Sequence, residues 1–158
     1  MDNQWAKDVE ICLEYGDRRK QFGGAVVPPT FGNSLFVYDS MDSLTEAVLH
    51  EQGNYVYTRG TNPTIETAEM KLAALERGEQ CRCFASGMGA ITAAILNSVK
   101  SGDHVLCLNN LYFSTRELLK YLGKFGVSHS ICYEAGAAAV EKHIRPNTRL
   151  IFIESPFT

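Results

Sequence analysis

No stretch of this 158-residue chain approaches the roughly 20 apolar residues that a membrane-spanning helix needs. Its opening residues, Met1-Asp2-Asn3-Gln4-Trp5, have neither the basic nor the apolar region of a signal peptide. The sequence therefore predicts a soluble, cytoplasmic protein. There is no basic excess to suggest nucleic acid and no long run of like charge to suggest a solvated tail; the formal net charge is −3. No internal repeat or low-complexity tract occurs. A catalytic triad signature is missing, and so is any zinc-like pair of cysteine pairs. The five cysteines are Cys12, Cys81, Cys83, Cys107 and Cys132, an odd number. Cys81 and Cys83 form a CxC on an expected strand, where side chains alternate between faces. Buried reduced thiols suit that arrangement better than a shared metal, and no metal site is assigned. The remaining cysteines sit among apolar residues and read as core thiols in a reducing compartment. The histidines His50, His104, His129 and His143 are scattered and read as structural.

What is present is enough apolar residue for one ordinary core. The first fifty or so residues differ from the rest. A helix is expected from Asp2 to about Asp17, with Trp5, Val9, Cys12 and Leu13 on one face. Gln21 to Val37, rich in Gly and Pro, reads as an extended arm or loop. A short helix is expected over Ser43 to Gln52, with Ser43 as its cap and Glu46 at the capping-box position. From residue 62 onward a regular alternation begins. Helices are expected at Pro63 to Arg77, Met88 to Lys100, Thr115 to Phe125 and Ala137 to His143. Strands are expected at Cys81 to Ala85, His104 to Leu108, Ser128 to Tyr133 and Leu150 to Ile153, the last strongly apolar and of the buried kind. Helices between short apolar strands imply an α/β fold, with a mainly parallel sheet covered on both faces. Because the last strand lies at the end of the chain, it is also a candidate for an uncovered edge.

Four segments carry candidate chemistry. Ser86-Gly87-Met88-Gly89 opens a helix directly after an expected strand. First-turn N–H groups and the helix dipole favour an anion there. Gly87 permits close approach and Ser86 adds a hydroxyl. The same residues also suit a plain tight turn. The dinucleotide fingerprint is absent, since it needs a third spaced Gly and a downstream acid. In Tyr57-Thr58-Arg59, an extended backbone would place phenol and guanidinium on one side, a pair suited to phosphate or to a solvated loop. Tyr112 follows the strand ending at Leu108, where open α/β sheets bind ligands, and can stack on a planar group or lie on the surface. Glu154 follows the last strand; it can orient a ligand or a partner residue, or cap a turn.

These segments, in this order, give the chain a resemblance to the cystathionine gamma-synthase, cystathionine lyase and methionine gamma-lyase family of pyridoxal-phosphate enzymes. The matching stretches are Tyr57-Thr58-Arg59-Gly60-Thr61-Asn62-Pro63-Thr64, Phe84 to Ile91, Leu111-Tyr112, and Phe152 to Pro156. The resemblance implies a partial large domain of a fold-type-one pyridoxal-phosphate transferase. Residues 1–54 would be the N-terminal arm and residues 55–158 the first part of the cofactor-binding domain. It implies that Tyr57 and Arg59 bind the cofactor phosphate of a neighbouring subunit, while Ser86, Gly87 and Met88 bind it within their own. Tyr112 would stack on the cofactor ring and touch the substrate, and Glu154 would lie near the active site. The arm around Val26 to Phe36 would embrace a neighbour in a dimer of dimers with shared sites. The expected activity is elimination or replacement at the β or γ carbon of a sulfur amino acid. The Schiff-base lysine is expected beyond Thr158; none of the seven lysines here, Lys7, Lys20, Lys71, Lys100, Lys120, Lys124 and Lys142, has the family's context. The family's Gly-Gly-Thr after the tyrosine is Phe113-Ser114-Thr115 here, which puts substrate shape and helix entry in question. Two other readings stay open: a non-catalytic regulatory or binding subunit, and a nucleotide-binding α/β domain.

Overall fold

The computed structural model describes residues 4–51 and 53–155. Its contacts divide the chain into a unit up to Cys83 and a unit from Phe84 onward.

The second unit is built on a three-stranded parallel sheet. Its strands are β1 (His104–Leu108), β2 (Ser128–Cys132) and β3 (Thr148–Ile153), in the order β2-β1-β3. Helix α4 (Gly87–Ser98) precedes β1, α5 (Phe113–Leu122) joins β1 to β2, and α6 (Ala137–His143) joins β2 to β3. Side chains alternate across a strand, so central β1 supplies two cores. Val105 and Cys107 pack with Ile95 of α4 and with Leu119 and Leu122 of α5. Leu106 packs on the opposite face with Cys132 and Ala139. The expected α/β architecture is thus observed, with both faces of central β1 covered. His104 shares the face of Leu106 and is fully buried. Its ring satisfies both nitrogens across the sheet: Nδ1 lies 2.8 Å from Thr148 Oγ1 and Nε2 lies 2.8 Å from Ser130 Oγ. Burial, with the positive charge of Arg145 second, pushes its pKa down, so the neutral imidazole is favoured.

Several expectations for this unit change, among them the bounds of α4, expected at Met88 to Lys100, and the start of β3, expected at Leu150. β3 is an edge strand whose residues alternate between half-buried and exposed, with Ile151 and Ile153 on the open face, rather than a fully buried strand. Helix α5 begins earlier than expected, at Phe113, and its last turn tightens into a 3₁₀ turn, Gly123–Phe125, before the left-handed Gly126. Ser128–Cys132 ends one residue earlier than expected.

The first unit contains α1 (Gln4–Glu14), α2 (Met41–Leu49) and α3 (Pro63–Leu75). Asn62, almost fully buried, organises it. Its side-chain oxygen accepts from Thr64 N at 2.9 Å, capping α3, while its amide donates to Phe31 O and Thr58 Oγ1. Pro63 occupies the first turn, as expected. The Gly- and Pro-rich arm lies along residues 55–64, through a Leu35–Tyr57 bridge and a Thr58 N to Ser34 O bond of 3.0 Å. A short 3₁₀ turn, Arg19–Phe22, precedes the extended part.

Corrections are more numerous in this unit. Helix α2 starts at Met41, and its cap is Ser40 rather than Ser43. Ser43 sits at the third helical position and completes the capping box that Glu46 was expected to supply. The apolar face of α1 is not buried: Trp5 is 82% exposed, and Val9, Cys12 and Leu13 are exposed too. Charge, not apolar area, ties α1 to α3. Arg77 pairs with Asp8, and Lys71 donates to Cys12 O at 2.9 Å and pairs with Asp17 just beyond the helix. Cys12 is therefore no core thiol. Cys81 to Ala85 is not a strand. The Cys83 N–H, which a ladder would use, donates to Glu69 Oε1 at 2.8 Å, and Arg82 pairs with the same carboxylate. Cys83 is exposed and Cys81 partly so, whereas Cys107 and Cys132 are buried as expected.

Candidate functional site

Sheet topology sets where a ligand can lie. The chain passes from β1 to β2 on one side and then back to β3 on the other, so the strand order reverses at β1. Open α/β sheets bind ligands outside the carboxyl ends of strands at such a reversal. Here those ends carry Tyr112 after β1 and Glu154 after β3. The chain leaves β1 through Asn109, a left-handed residue (φ 58°) whose N–H donates to Cys132 O at 2.8 Å. Asparagine tolerates that conformation better than most residues. Leu111 turns into the core, and the next side chain, Tyr112, projects outward at 54% exposure.

Glu154 reaches back to this loop. One carboxylate oxygen accepts from the Tyr112 N–H at 2.5 Å, and the other accepts from the buried Thr115 hydroxyl at 3.3 Å. The carboxylate thereby caps α5, whose own N-cap residue, Tyr112, has no side-chain cap bond. The capping role open to Glu154 in the sequence is thus seen in these bonds. Burial first, and the Glu154 charge second, push the nearby Cys107 thiol up to about 11. That shift and the burial of Cys107 favour the protonated thiol over the nucleophilic thiolate at neutral pH.

Phe113 does not block helix entry. Its side chain is exposed and lies under the Arg116 guanidinium, 5.7 Å from ring centroid to cation.

Helix α4 joins β1 through the short segment Val99 to Asp103, so it runs back along the sheet and its first turn lies toward the strands' carboxyl ends. The Ser86 hydroxyl accepts from Gly89 N at 3.0 Å. That leaves the N–H groups of Gly87 and Met88 without partners among the described residues. A Cβ built on Gly87 would meet nothing within 4 Å, so the space on that side of the turn is open. Two free N–H groups, a helix dipole, an unused hydroxyl proton and open space fit a phosphate. The expected strand ahead of this turn is missing, but the helix opening is as expected.

In the first unit, Tyr57 and Arg59 do come together, but by a turn rather than an extended backbone. Gly60 N and Thr61 N both bond to Tyr57 O, at 2.9 and 3.2 Å. The Arg59 guanidinium stacks over the Tyr57 ring at 4.9 Å. Arg59 is exposed and makes no ion pair among the described residues. The pair lines a cavity with Gly32, Asn33, Ser34 and Thr58. No group of three or more metal-ligating side chains occurs among the described residues. Among them also, no helix is long and apolar enough to cross a membrane.

Sequence reasoning did not single out Asn62, Asn109 or Thr115. Asn62 was visible as a cap before Pro63. Thr115 and Glu154 are far apart in sequence, so only the β1–β3 pairing brings them together.

Comparison with known proteins identifies the family. The family model described as "Cys/Met metabolism PLP-dependent enzyme" matches residues 10–158. The chain is 37% identical to an L-methionine gamma-lyase of Treponema denticola, over 84% of this chain and 33% of that protein. It is 39% identical to an O-succinylhomoserine sulfhydrylase of Pseudomonas aeruginosa, over 80% and 32%. Among solved structures, a putative O-acetylhomoserine (thiol)-lyase of Campylobacter jejuni, containing N'-pyridoxyl-lysine-5'-monophosphate, is similar with a TM-score of 0.79 and 26% identity. That match covers 92% of this chain and 36% of the other. The chain spans about a third of the length of these two curated relatives. The fold class, the strand order and a match reaching from residue 10 to the chain's last residue lead to one assignment: the chain belongs to the Cys/Met metabolism family of pyridoxal-phosphate-dependent enzymes.

Proposed function

We propose that this chain forms the phosphate side of a pyridoxal-phosphate site in an enzyme that eliminates or replaces a group at the β or γ carbon of a sulfur amino acid. The observation that carries the reading is the turn Ser86-Gly87-Met88, with two N–H groups unpartnered among the described residues and open space where a Gly87 side chain would lie. Those N–H groups hold the phosphate, and the Ser86 hydroxyl donates to it while its oxygen keeps capping Gly89. Tyr112 stacks on the cofactor ring and touches the substrate. Arg59 and Tyr57 hold the phosphate of a neighbouring subunit; an exposed guanidinium without an ion pair in its own described chain supports that role. When bound, pyridoxal phosphate supplies the electron sink for the reaction, and the protein supplies orientation. The whole protein would then be a cytoplasmic homo-oligomer, a dimer of dimers with shared sites, whose arm around Val26 to Phe36 embraces the neighbour. Val26 and Val27 are well exposed for that contact.

The test joins this chain, after Thr158, to the downstream region of the T. denticola methionine gamma-lyase. A folded fusion that binds pyridoxal phosphate and releases a keto acid and a thiol from a sulfur amino acid supports the reading. A folded fusion that does neither overturns it.

A further inference from the structure

We infer that Glu154 is a positioning residue: it acts on the cofactor through Tyr112, by holding that residue's backbone where the phenol meets the ring. The inference rests on the proposed stacking role of Tyr112 and adds the device that would set its geometry. Tyr112 lies between two fixed points. On one side Leu111 is buried in the core; on the other, Thr115 is fully buried one helical turn later. The backbone between them is tied by one carboxylate from a different strand. Glu154 Oε2 accepts the Tyr112 N–H at 2.5 Å and Oε1 accepts the Thr115 hydroxyl at 3.3 Å. No other side chain among the described residues caps α5, and Phe113 at the first helical position points outward. With its backbone pinned, Tyr112 keeps only the freedom of its two side-chain torsions. Pairing of Leu108 with Ile153 places the start of this loop and Glu154 side by side, so the sheet itself sets the distance. Among the described residues, this carboxylate is the side-chain tie between the two strand ends, and it is charge-assisted.

Two measurements on the intact chain test this. The first is residue-resolved amide exchange in Glu154→Ala and Glu154→Gln. Losing a hydrogen bond to a charged acceptor predicts exchange at the Tyr112 amide about 10- to 100-fold faster in the Ala variant. Exchange at Leu106 and Cys107 should not change. The Gln variant keeps an acceptor oxygen and should fall between, and it carries the test if the Ala variant fails to fold. Unchanged exchange at Tyr112 in both variants overturns the inference.

The second measurement is a double-mutant cycle on pyridoxal-phosphate affinity with Glu154→Gln and Tyr112→Ala. Glu154→Gln should weaken binding when Tyr112 is present and change nothing when it is Ala. Additive effects, or no effect of Glu154→Gln beside a clear effect of Tyr112→Ala, overturn the positioning role and leave the cofactor reading intact. No effect of either variant overturns the role of Tyr112 itself, and the positioning role with it.

Discussion

Replacing His104 with Ala tests whether a neutral histidine is part of the sheet's core. The imidazole is fully buried and bonds to Ser130 on one neighbouring strand and Thr148 on the other, each at 2.8 Å. Its removal loses two hydrogen bonds, at roughly 1 kcal/mol each, and opens a cavity in a packed layer. Together these predict a loss of about 3–5 kcal/mol, much of a small domain's stability. The pH dependence follows from the depressed pKa. Between the native and the unfolded pKa, the unfolded chain binds a proton that the native chain does not. Stability is therefore fully present above the ordinary value of 6.5 and is lost as pH falls below it towards the native pKa. His129 is shifted down too, mainly by burial, so the wild type carries two such groups and the variant one. Urea unfolding followed by circular dichroism, at about pH 7.5 and about pH 5.5, measures both effects. The wild type should lose more stability than His104→Ala over that interval. Equal losses, or a variant as stable as wild type at the higher pH, would refute the account of His104.

Two further substitutions separate binding from folding. Gly87→Ala should leave stability unchanged within about 1 kcal/mol, since its Cβ meets nothing and alanine suits a helix. It should nonetheless weaken pyridoxal-phosphate binding, measured by titration, because the methyl enters the space beside the free N–H groups. Ile95→Ala, in the core shared by α4, α5 and β1, should cost about 2–5 kcal/mol in urea unfolding. A cost below 1 kcal/mol would mean that α4 is not packed on this sheet.

The three-strand sheet was legible because its strands are short segments between helices with clear stops, two of them strongly apolar, and Gly126 fell where α5 had to end. What failed did so for local reasons. The run Cys81 to Ala85 has the composition of a strand, but strand formation needs a partner, and Glu69 takes the N–H that a partner would use. The periodicity of α1 correctly gave a helix, yet Trp5, Val9 and Leu13 stay exposed, while Asp8 in the helix and Asp17 just after it pair with Arg77 and Lys71. Ser43 and Ser40 are both good caps, and the backbone chose the earlier one with Ser43 completing the box. At the site, Ser86, Gly87, Met88 and Tyr112 were visible as residue types at the ends of elements. The partnership of Glu154 with Tyr112 and Thr115 was not, since it depends on β1 and β3 being neighbours although β2 comes between them in sequence.

The measurement that tests the central claim most directly is titration of the purified chain with pyridoxal phosphate, followed by borohydride trapping and peptide mapping. The account predicts binding that inorganic phosphate competes away, with weak or scattered trapping over the seven lysines. Trapping at one lysine in near one-to-one yield would contradict it, because the chain would then hold a complete cofactor anchor of its own.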